Sequence, residues 1–305
     1  MTSHAFVTLD VFTDTRFGGN PLAVFPSASA IPEDLLLPIT REFNFSETTF
    51  CYPPAHAGSA ARVRIFTPGG EVPFAGHPTV GTAIALVLGG HAPSAREGTT
   101  RLVLEEGVGP IAVTVTTADG VSPSAQFATA RLTEEGPDAL PRGVLASVLS
   151  LEENDFADAP FTPQALSCGI PFLLVPLATV DAVSRARVRL DGWEQSLRAS
   201  WSPEVFVFAR DPGAGATHFR ARMFAPRLHV PEDPATGSAC ACLAGYLAQR
   251  SAQQDGTLAW TVQQGVEMGR PSRISIEADR AGGSLRAIRV GGSAVLVSEG
   301  SLHIA

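Results

Sequence analysis

Lysine is missing from this chain: all 22 basic residues among its 305 are arginine. A Schiff-base enzyme needs an amine that can lose its proton, and arginine cannot supply one. Pyridoxal-phosphate chemistry and lysine-dependent aldol chemistry are therefore excluded, and so is a standard P-loop, which places Lys on the phosphates. Genomic composition bias is a sufficient cause for the absence, and the exclusion stands whatever the cause. A positive excess is missing too: 30 acidic residues give a net charge of −8, and no basic run invites a nucleic acid. The longest apolar stretch, Val80 to Leu88, is too short to span a bilayer, so no membrane partner is expected. The first ten residues run straight into a strand pattern without a basic segment and apolar core, which predicts a cytoplasmic protein. Only four cysteines occur (Cys51, Cys168, Cys240, Cys242), read as reduced thiols rather than a disulfide frame. No spacing of histidines and cysteines resembles a zinc site, and no Gly-rich strand-to-helix turn follows the dinucleotide pattern. Neither metal nor cofactor is expected.

What is present is a repeat. Arg62-Val-Arg-Ile-Phe-Thr-Pro68, Val72-Pro73 and His77-Pro-Thr-Val-Gly-Thr-Ala83 return as Arg220-Ala-Arg-Met-Phe-Ala-Pro226, Val230-Pro231 and Asp233-Pro-Ala-Thr-Gly-Ser-Ala239. Phe66 and Phe224 are 158 positions apart and His77 and Asp233 are 156 apart, so two residues are deleted between Pro231 and Asp233. A doubled unit suits the chain length, since about 150 residues per domain is ordinary. The hydrophobic fraction of 45% with 17% charged residues suits a globular protein. His77 against Asp233 is the clear polar difference between the copies, and a duplicated scaffold with unlike polar groups at matching points can build a cleft with two unlike walls.

Alternating or β-branched segments predict strands at Ala5–Asp10, Leu22–Phe25, Thr48–Tyr52, Ala61–Phe66, Arg101–Leu104, Ile111–Thr116, Phe127–Leu132, Phe172–Pro176, Val205–Ala209, Arg273–Ala278, Ile288–Val290 and Ala294–Val297. A helix is predicted from Pro32 to about Phe43, with Pro38 awkward inside it. Two further helices are apolar all round, Thr79–Leu88, ending at Gly89-Gly90, and Ala239–Leu247, so each must be buried on every side. Pro78 and Pro234 suit first helical positions, which places His77 and Asp233 at the N-caps. Asp caps well and His does not, so His77 reads as kept for another purpose. The Gly-, Pro- and Ser-rich stretch Ala118–Ser124 reads as the linker. The expected architecture is α+β, with two similar domains (1–120 and 121–305), each a mixed curved sheet wrapped round one buried helix, and a cleft between them.

Both buried helices start with Pro-x-x-Gly-[Thr/Ser]-Ala. A helix start leaves N–H groups unpaired and carries partial positive charge. Gly81 and Gly237 are placed in the first turn, where they remove bulk, and Thr82 and Ser238 add a hydroxyl. Two such starts facing each other would hold a carboxylate without lysine. The competing reading is a pair of ordinary buried helix starts with small residues for packing. Glu47, in Asn44-Phe-Ser-Glu-Thr-Thr-Phe50, is the candidate acid/base, because a carboxyl in an apolar cleft can take and return a proton near neutral pH. Its competing reading is a solvated surface glutamate. Ser46 beside it joins the substrate-binding candidates. Asp233 reads equally as a simple cap. Cys240 and Cys242 lie in the apolar helix and read as inert.

Asp10-Val-Phe, Gly19-Asn20-Pro21-Leu-Ala-Val, Asn44-Phe-Ser-Glu-Thr-Thr-Phe, Phe74-Ala-Gly-His-Pro-Thr-Val-Gly-Thr-Ala, Glu232-Asp-Pro-Ala-Thr-Gly-Ser-Ala and Met268-Gly-Arg-Pro-Ser together resemble the phenazine-biosynthesis PhzF-like family, over essentially the whole chain. The resemblance implies a diaminopimelate-epimerase-like fold, with the last strand, from about residue 297, returning to the first domain. It implies a cofactor-free isomerase, usually a homodimer, whose characterised activity converts trans-2,3-dihydro-3-hydroxyanthranilate to an aminoketone. The family's acid/base glutamate falls on Glu47, its histidine and aspartate on His77 and Asp233, and its substrate-carboxylate contacts on Gly76, Gly237 and Ser238. The related epimerases carry a cysteine at each helix start. His77 and Asp233 stand there instead, which argues against racemisation by two thiols.

The resulting expectation is an isomerase moving a proton on a small amino or hydroxy acid. The catalytic residues are Glu47, His77 and Asp233, and Ser46, Gly76, Gly81, Thr82, Gly237 and Ser238 bind the substrate. An epimerase or tautomerase of another small acid, or a non-enzymatic carboxylate-binding protein, are the alternatives. The partner is a small-molecule carboxylate.

Overall fold

The structure, a computed structural model, describes residues 2–92 and 98–304. The chain divides into two compact units: Met1–Ala130 with Val290–Ala305, and Arg131–Arg289.

In the first unit β1 (Thr2–Val11), β2 (Asn20–Phe25), α1 (Leu36–Phe43), β3 (Glu47–Tyr52), β4 (Ala61–Thr67), β5 (Gly70–Val72), α2 (Gly76–Leu88), β6 (Thr99–Glu106), β7 (Gly109–Ala118) and β8 (Val121–Ala128) follow one another. β1 runs antiparallel to β2, β2 parallel to β3, and β3 antiparallel to β4. β4 then pairs antiparallel with β5 and parallel with β6, and β6, β7 and β8 form a meander.

The second unit contains β9 (Glu134–Glu135), α3 (Arg142–Leu149), β10 (Gln164–Ser167), β11 (Pro171–Pro176), α4 (Val180–Arg185), α5 (Leu190–Ser196), β12 (Glu204–Arg210), β13 (His218–Ala225), β14 (Val230–Asp233), α6 (Gly237–Gln249), β15 (Gly256–Gln264) and β16 (Ser272–Ala281). Its orientations repeat those of the first unit. β10 is antiparallel to β11, β11 parallel to β12, and β12 antiparallel to β13. β13 is antiparallel to β14 and parallel to β15, and β15 is antiparallel to β16. The motif repeat is therefore a topological repeat, with α2 and α6 as equivalent crossovers between a short hairpin strand and a parallel neighbour of the strand before it. The α+β expectation, a mixed sheet round one central helix in each half, is what the structure shows.

Both crossover helices are buried as their composition requires: every residue from Gly76 to Leu86, and every residue from Gly237 to Ala248, is shielded from solvent. Each fully buried aliphatic or aromatic side chain contributes about 1.5–3 kcal/mol of transfer free energy, so these helices anchor their units. Beside α2, a separate aromatic cluster (Phe25, Phe50, Phe66, with Phe6 and Phe43 against it) ties α1 to the sheet. In the second unit α3, α4 and α5 cover β11, β12 and β13 with Leu145, Leu149, Val183 and Trp193.

Three expectations are corrected. The supposed linker Ala118–Ser124 is a hairpin turn: Asp119-Gly120 joins β7 to β8, with Gly120 at φ +74°, and β8 continues the first unit's meander. Asp-Gly between alternating segments is a hairpin signal. The strand expected at Phe127–Leu132 belongs to β8 and stops at Ala128. The two last strands are one, β17 (Ser284–Ile304), whose stretch from Val290 lies in the first unit, where Ala294–Ile304 pairs along β1. Pro38 breaks nothing, because a 3-10 turn (Glu33–Leu35) precedes α1 and Pro38 falls at the third helical position. N–H groups of a first turn have no intrahelical acceptor, so proline is harmless there.

Candidate functional site

Glu47 is placed by the ends of two elements. α1 stops at Asn44, whose left-handed φ of +53° turns the chain, and β3 then starts at Glu47 in parallel register with Leu22 of β2. Asn20 opens β2, after a loop in which Gly19 at φ +62° brings its backbone so close to Val11 O that a Cβ would sit 2.4 Å from it. Only glycine fits there. His77 sits in the first turn of α2. The three meet. His77 Nδ1 lies 3.2 Å from Glu47 Oε2 and 3.2 Å from Asn20 Nδ2. The His77 side chain is 3% exposed and that of Glu47 17%, with Glu47 Oε2 itself buried.

Burial pushes the His77 ring down to about 3, although a hydrogen bond to the Pro21 carbonyl pulls the other way. His77 is therefore a neutral imidazole at any physiological pH, and its approach to Glu47 is not an ion pair. Its Nε2 is buried with no hydrogen-bond partner among the described residues. Ser46, half-buried, immediately precedes Glu47, and Gly76 is the first residue of α2.

In the second unit Asp233 ends β14, opposite Met223. Its Oδ2 accepts from Thr236 Oγ1 at 2.6 Å, and its main-chain carbonyl accepts from Gln264 Nε2 at 2.7 Å. The same amide bonds Thr236 Oγ1 at 3.0 Å, while Gln264 Oε1 accepts the Thr236 N–H at 3.2 Å. Asp233, Thr236 and Gln264 are all buried, so this is a satisfied polar network that fixes the approach to α6. α6 begins with Gly237 and Ser238, both buried, behind the N-cap residue Thr236.

These positions correct the expected caps. His77 is not an N-cap: α2 starts at Gly76 behind Ala75, and His77 is the second helical residue. Asp233 is not an N-cap either, because it is used by β14 and α6 starts four residues later. Matching residues of the two copies thus fall at different depths in their helices. Gly237 opens α6, whereas Gly81 lies in the second turn of α2, where its N–H is already inside the helix. A Cβ at Gly81 would come within 2.5 Å of Leu22 Cδ2 and 2.7 Å of Val11 Cγ2, and Thr82 Oγ1 hydrogen-bonds Thr49 Oγ1 at 2.9 Å. Packing accounts for Gly81 and Thr82 without a ligand. Asn20, Thr236 and Gln264 are polar partners that the sequence reading did not single out. Asn20 stood in the quoted Gly19-Asn20-Pro21 motif and could have been found there. Thr236 likewise stood in the quoted Asp233-Pro-Ala-Thr-Gly-Ser-Ala motif, whereas Gln264 carried no signal, since it meets Thr236 across 28 residues.

The four cysteines are unpaired and buried, and burial pushes Cys51 up to about 12 and Cys240 and Cys242 well above the ordinary thiol value. Cys51, Cys240 and Cys242 are therefore poor nucleophiles. Among the described residues no three His, Cys, Asp or Glu side chains group as metal ligands, and no helix is long and apolar enough to cross a membrane.

A doubled mixed sheet, each half round one buried crossover helix, is the diaminopimelate-epimerase-like fold. Residues 9–300 match the family described as phenazine biosynthesis-like protein, PhzC-PhzF, and the chain belongs to that family. It is 37% identical to an uncharacterized isomerase of Mesorhizobium japonicum, over 100% of both chains. It is 35% identical to the trans-2,3-dihydro-3-hydroxyanthranilate isomerase of Pseudomonas fluorescens, over 98% of this chain and 99% of that one. A crystal structure of a PhzF-family phenazine biosynthesis protein of Bacillus anthracis shares the fold with a TM-score of 0.88 at 24% identity, covering 100% of each chain. Isomerase is the activity class that these relatives support for this chain.

Proposed function

We propose that this protein moves a proton within a small carboxylic acid, with Glu47 as acid and base, and that its substrate is trans-2,3-dihydro-3-hydroxyanthranilate or a close analogue. Glu47 takes a proton from a carbon of the substrate as that C–H bond's electron pair enters the adjoining π system. It then returns the proton to another carbon of the same molecule. No atom or electron is gained or lost, and the chemistry calls for no cofactor. The observation that carries the reading is the 3.2 Å approach of His77 Nδ1 to Glu47 Oε2 with the ring neutral. A neutral ring sets no countercharge against the carboxylate, and Asn20 Nδ2 lies 3.2 Å from the same ring nitrogen. We assign His77 and Ser46 to polar groups of the substrate, and Gly76, which opens α2, to its carboxylate, which suits the unpaired N–H groups at a helix start.

The test follows the hydrogen. In deuterated water the wild type should either wash label into the product or carry the substrate hydrogen across. Glu47→Gln should lower kcat by about 10²–10⁴-fold, the ordinary worth of a positioned acid/base, with KM little changed. Full activity in Glu47→Gln would end this mechanism. An epimerase or tautomerase acting on another small acid is the second reading, and it is favoured by the similarity to an isomerase of undefined substrate. The substrate decides between them, since turnover of trans-2,3-dihydro-3-hydroxyanthranilate supports the first and turnover of another small acid alone supports the second. The proposal also takes the protein to be a cytoplasmic homodimer.

A further inference from the structure

We infer that Glu106 is a positioning residue for this site: a buried carboxyl, held in its protonated form, that passes a hydrogen bond through Thr79 to Ala75 and thereby fixes the turn carrying His77. The inference rests on the isomerase reading for its activity measurement alone.

Glu106 ends β6 and Thr79 lies in α2, two residues after His77. Thr79 Oγ1 stands 2.8 Å from Ala75 O and 2.8 Å from Glu106 Oε1. A hydroxyl has one hydrogen to give. If Glu106 is ionised, two oxygens compete for that hydrogen and one contact is a repulsion between lone pairs. If Glu106 is protonated, its O–H donates to Thr79 Oγ1, the Thr79 hydroxyl donates to Ala75 O, and both contacts are hydrogen bonds. The second carboxyl oxygen, Oε2, is buried without a partner among the described residues, which is tolerable for a neutral acid and costly for a carboxylate. Burial also pushes this group up to about 8, against a smaller downward pull from Thr79.

Among the described residues no charge offsets the burial. The titratable group facing Glu106 from β3 is Cys51, whose thiol Glu106 itself helps to raise. β7 and β8 carry no titratable side chain, and His77 is the titratable residue of α2. On β4, Val63 and Ile65 are buried, Arg64 is held by Glu71 and Glu33, and Arg62 lies over the Tyr52 ring. The adjacent Glu105 points to the other face of the strand and accepts the Ala55 and His56 N–H groups.

The link to His77 is the start of α2. Ala75 is its N-cap residue, Pro78 has no N–H, and Thr79 N–H to Ala75 O at 3.2 Å is the helix's first internal bond. With no capping side chain present, the Glu106–Thr79–Ala75 chain takes that part.

The experiment compares wild type, Glu106→Gln and Thr79→Val between pH 6 and 10. Gln keeps an N–H for Thr79 and cannot ionise. Wild-type kcat should fall about tenfold per pH unit above the Glu106 titration, a one-proton limb. Glu106→Gln should lose that limb, and Thr79→Val should lower kcat at every pH with KM little moved. In parallel, the carboxyl carbon of Glu106, assigned by ¹³C-glutamate labelling and comparison with Glu106→Gln, should titrate far above the ordinary glutamate range. Exchange of the Gly76–Thr79 amides should quicken over the same pH interval. An unchanged alkaline limb in Glu106→Gln, or a Glu106 carbon that titrates among the other glutamates, overturns the inference. If wild type turns over no small acid at all, the isomerase reading falls, and the carbon titration with amide exchange still decides the role of Glu106.

Discussion

His77 and Glu106 are both neutral because both are buried, but they bend the stability curve in opposite directions. His77 has its folded-state value pushed from 6.5 to about 3, so between those values the unfolded chain binds a proton that the folded chain refuses. Stability from this group therefore rises as pH climbs from about 3 to 6.5 and is lost as pH falls through that interval, by an amount on the order of 5 kcal/mol. Glu106 has its folded value raised from 4.5 to about 8, so the folded chain is the one that holds the proton, and stability falls as pH rises from 4.5 to 8. Thermal unfolding across pH 3.5–7 should show a His77→Gln variant with a flatter acid limb than wild type. An identical slope in the two proteins would show that the ring is not refused its proton. At this scale the sequence singled out candidate residues and not what surrounds them. Glu47 and His77 stood out by motif and by the poor fit of histidine as a cap. Glu106 resembled any acid at a strand end, because its burial depends on α2 and β3, which lie far from it in the chain.

At the scale of the element, apolarity is easily read and helix register is not. An all-apolar run of this length has to be buried, and α2 and α6 are. Their starting residues were misplaced because proline does not mark a unique position. It is tolerated wherever an N–H has no intrahelical acceptor, and that covers the whole first turn. Pro78 sits at the third position of α2, and Pro234 lies outside α6 altogether. What sets the α6 start is tertiary: Asp233 is engaged by β14, Thr236 and Gln264, and Gly265 at φ +74° approaches Pro234 O so closely that a Cβ would sit 2.6 Å from it. The same register argument separates packing glycine from functional glycine. Gly81→Ala would press a methyl group against Leu22 and Val11 inside a filled core, and overpacking of this kind costs about 1–3 kcal/mol. The variant should unfold at lower denaturant concentration, with an unchanged m-value, and retain the pH profile of the wild type. A variant as stable as wild type would show that the α2–β1–β2 contact has slack.

At the scale of the whole molecule the chain is a duplicated unit that shares its final strand. The repeat of motifs was visible in the sequence, and the family resemblance implied a return of the last strand. The unit boundary was not, because the Gly- and Pro-rich stretch chosen as linker is the tight turn of a hairpin. The consequence is asymmetric dependence on the C-terminus. Arg131–Arg289 is continuous, whereas the first unit needs Val290–Ala305. There β17 pairs with β1 from Thr2↔Ile304 to Val11↔Ala294, Thr8 Oγ1 and Ser298 Oγ lie 2.7 Å apart, and the Phe12 N–H bonds Ser293 O at 2.7 Å. A chain ending at Arg289 would leave β1 with a bare edge along its full length and deprive the loop leading to Asn20 of its anchor at Phe12. An exposed strand edge is a template for aggregation, and the lost ladder removes the support on which the Asn20–His77–Glu47 arrangement stands. Limited proteolysis of the truncated protein should therefore degrade Met1–Ala130 and leave a resistant core close to Arg131–Arg289, whereas full-length protein should resist in both units. If both units of the truncated chain resisted equally, β17 would be an accessory to the first unit instead of part of its frame, and the Glu47 centre should then keep its activity without it.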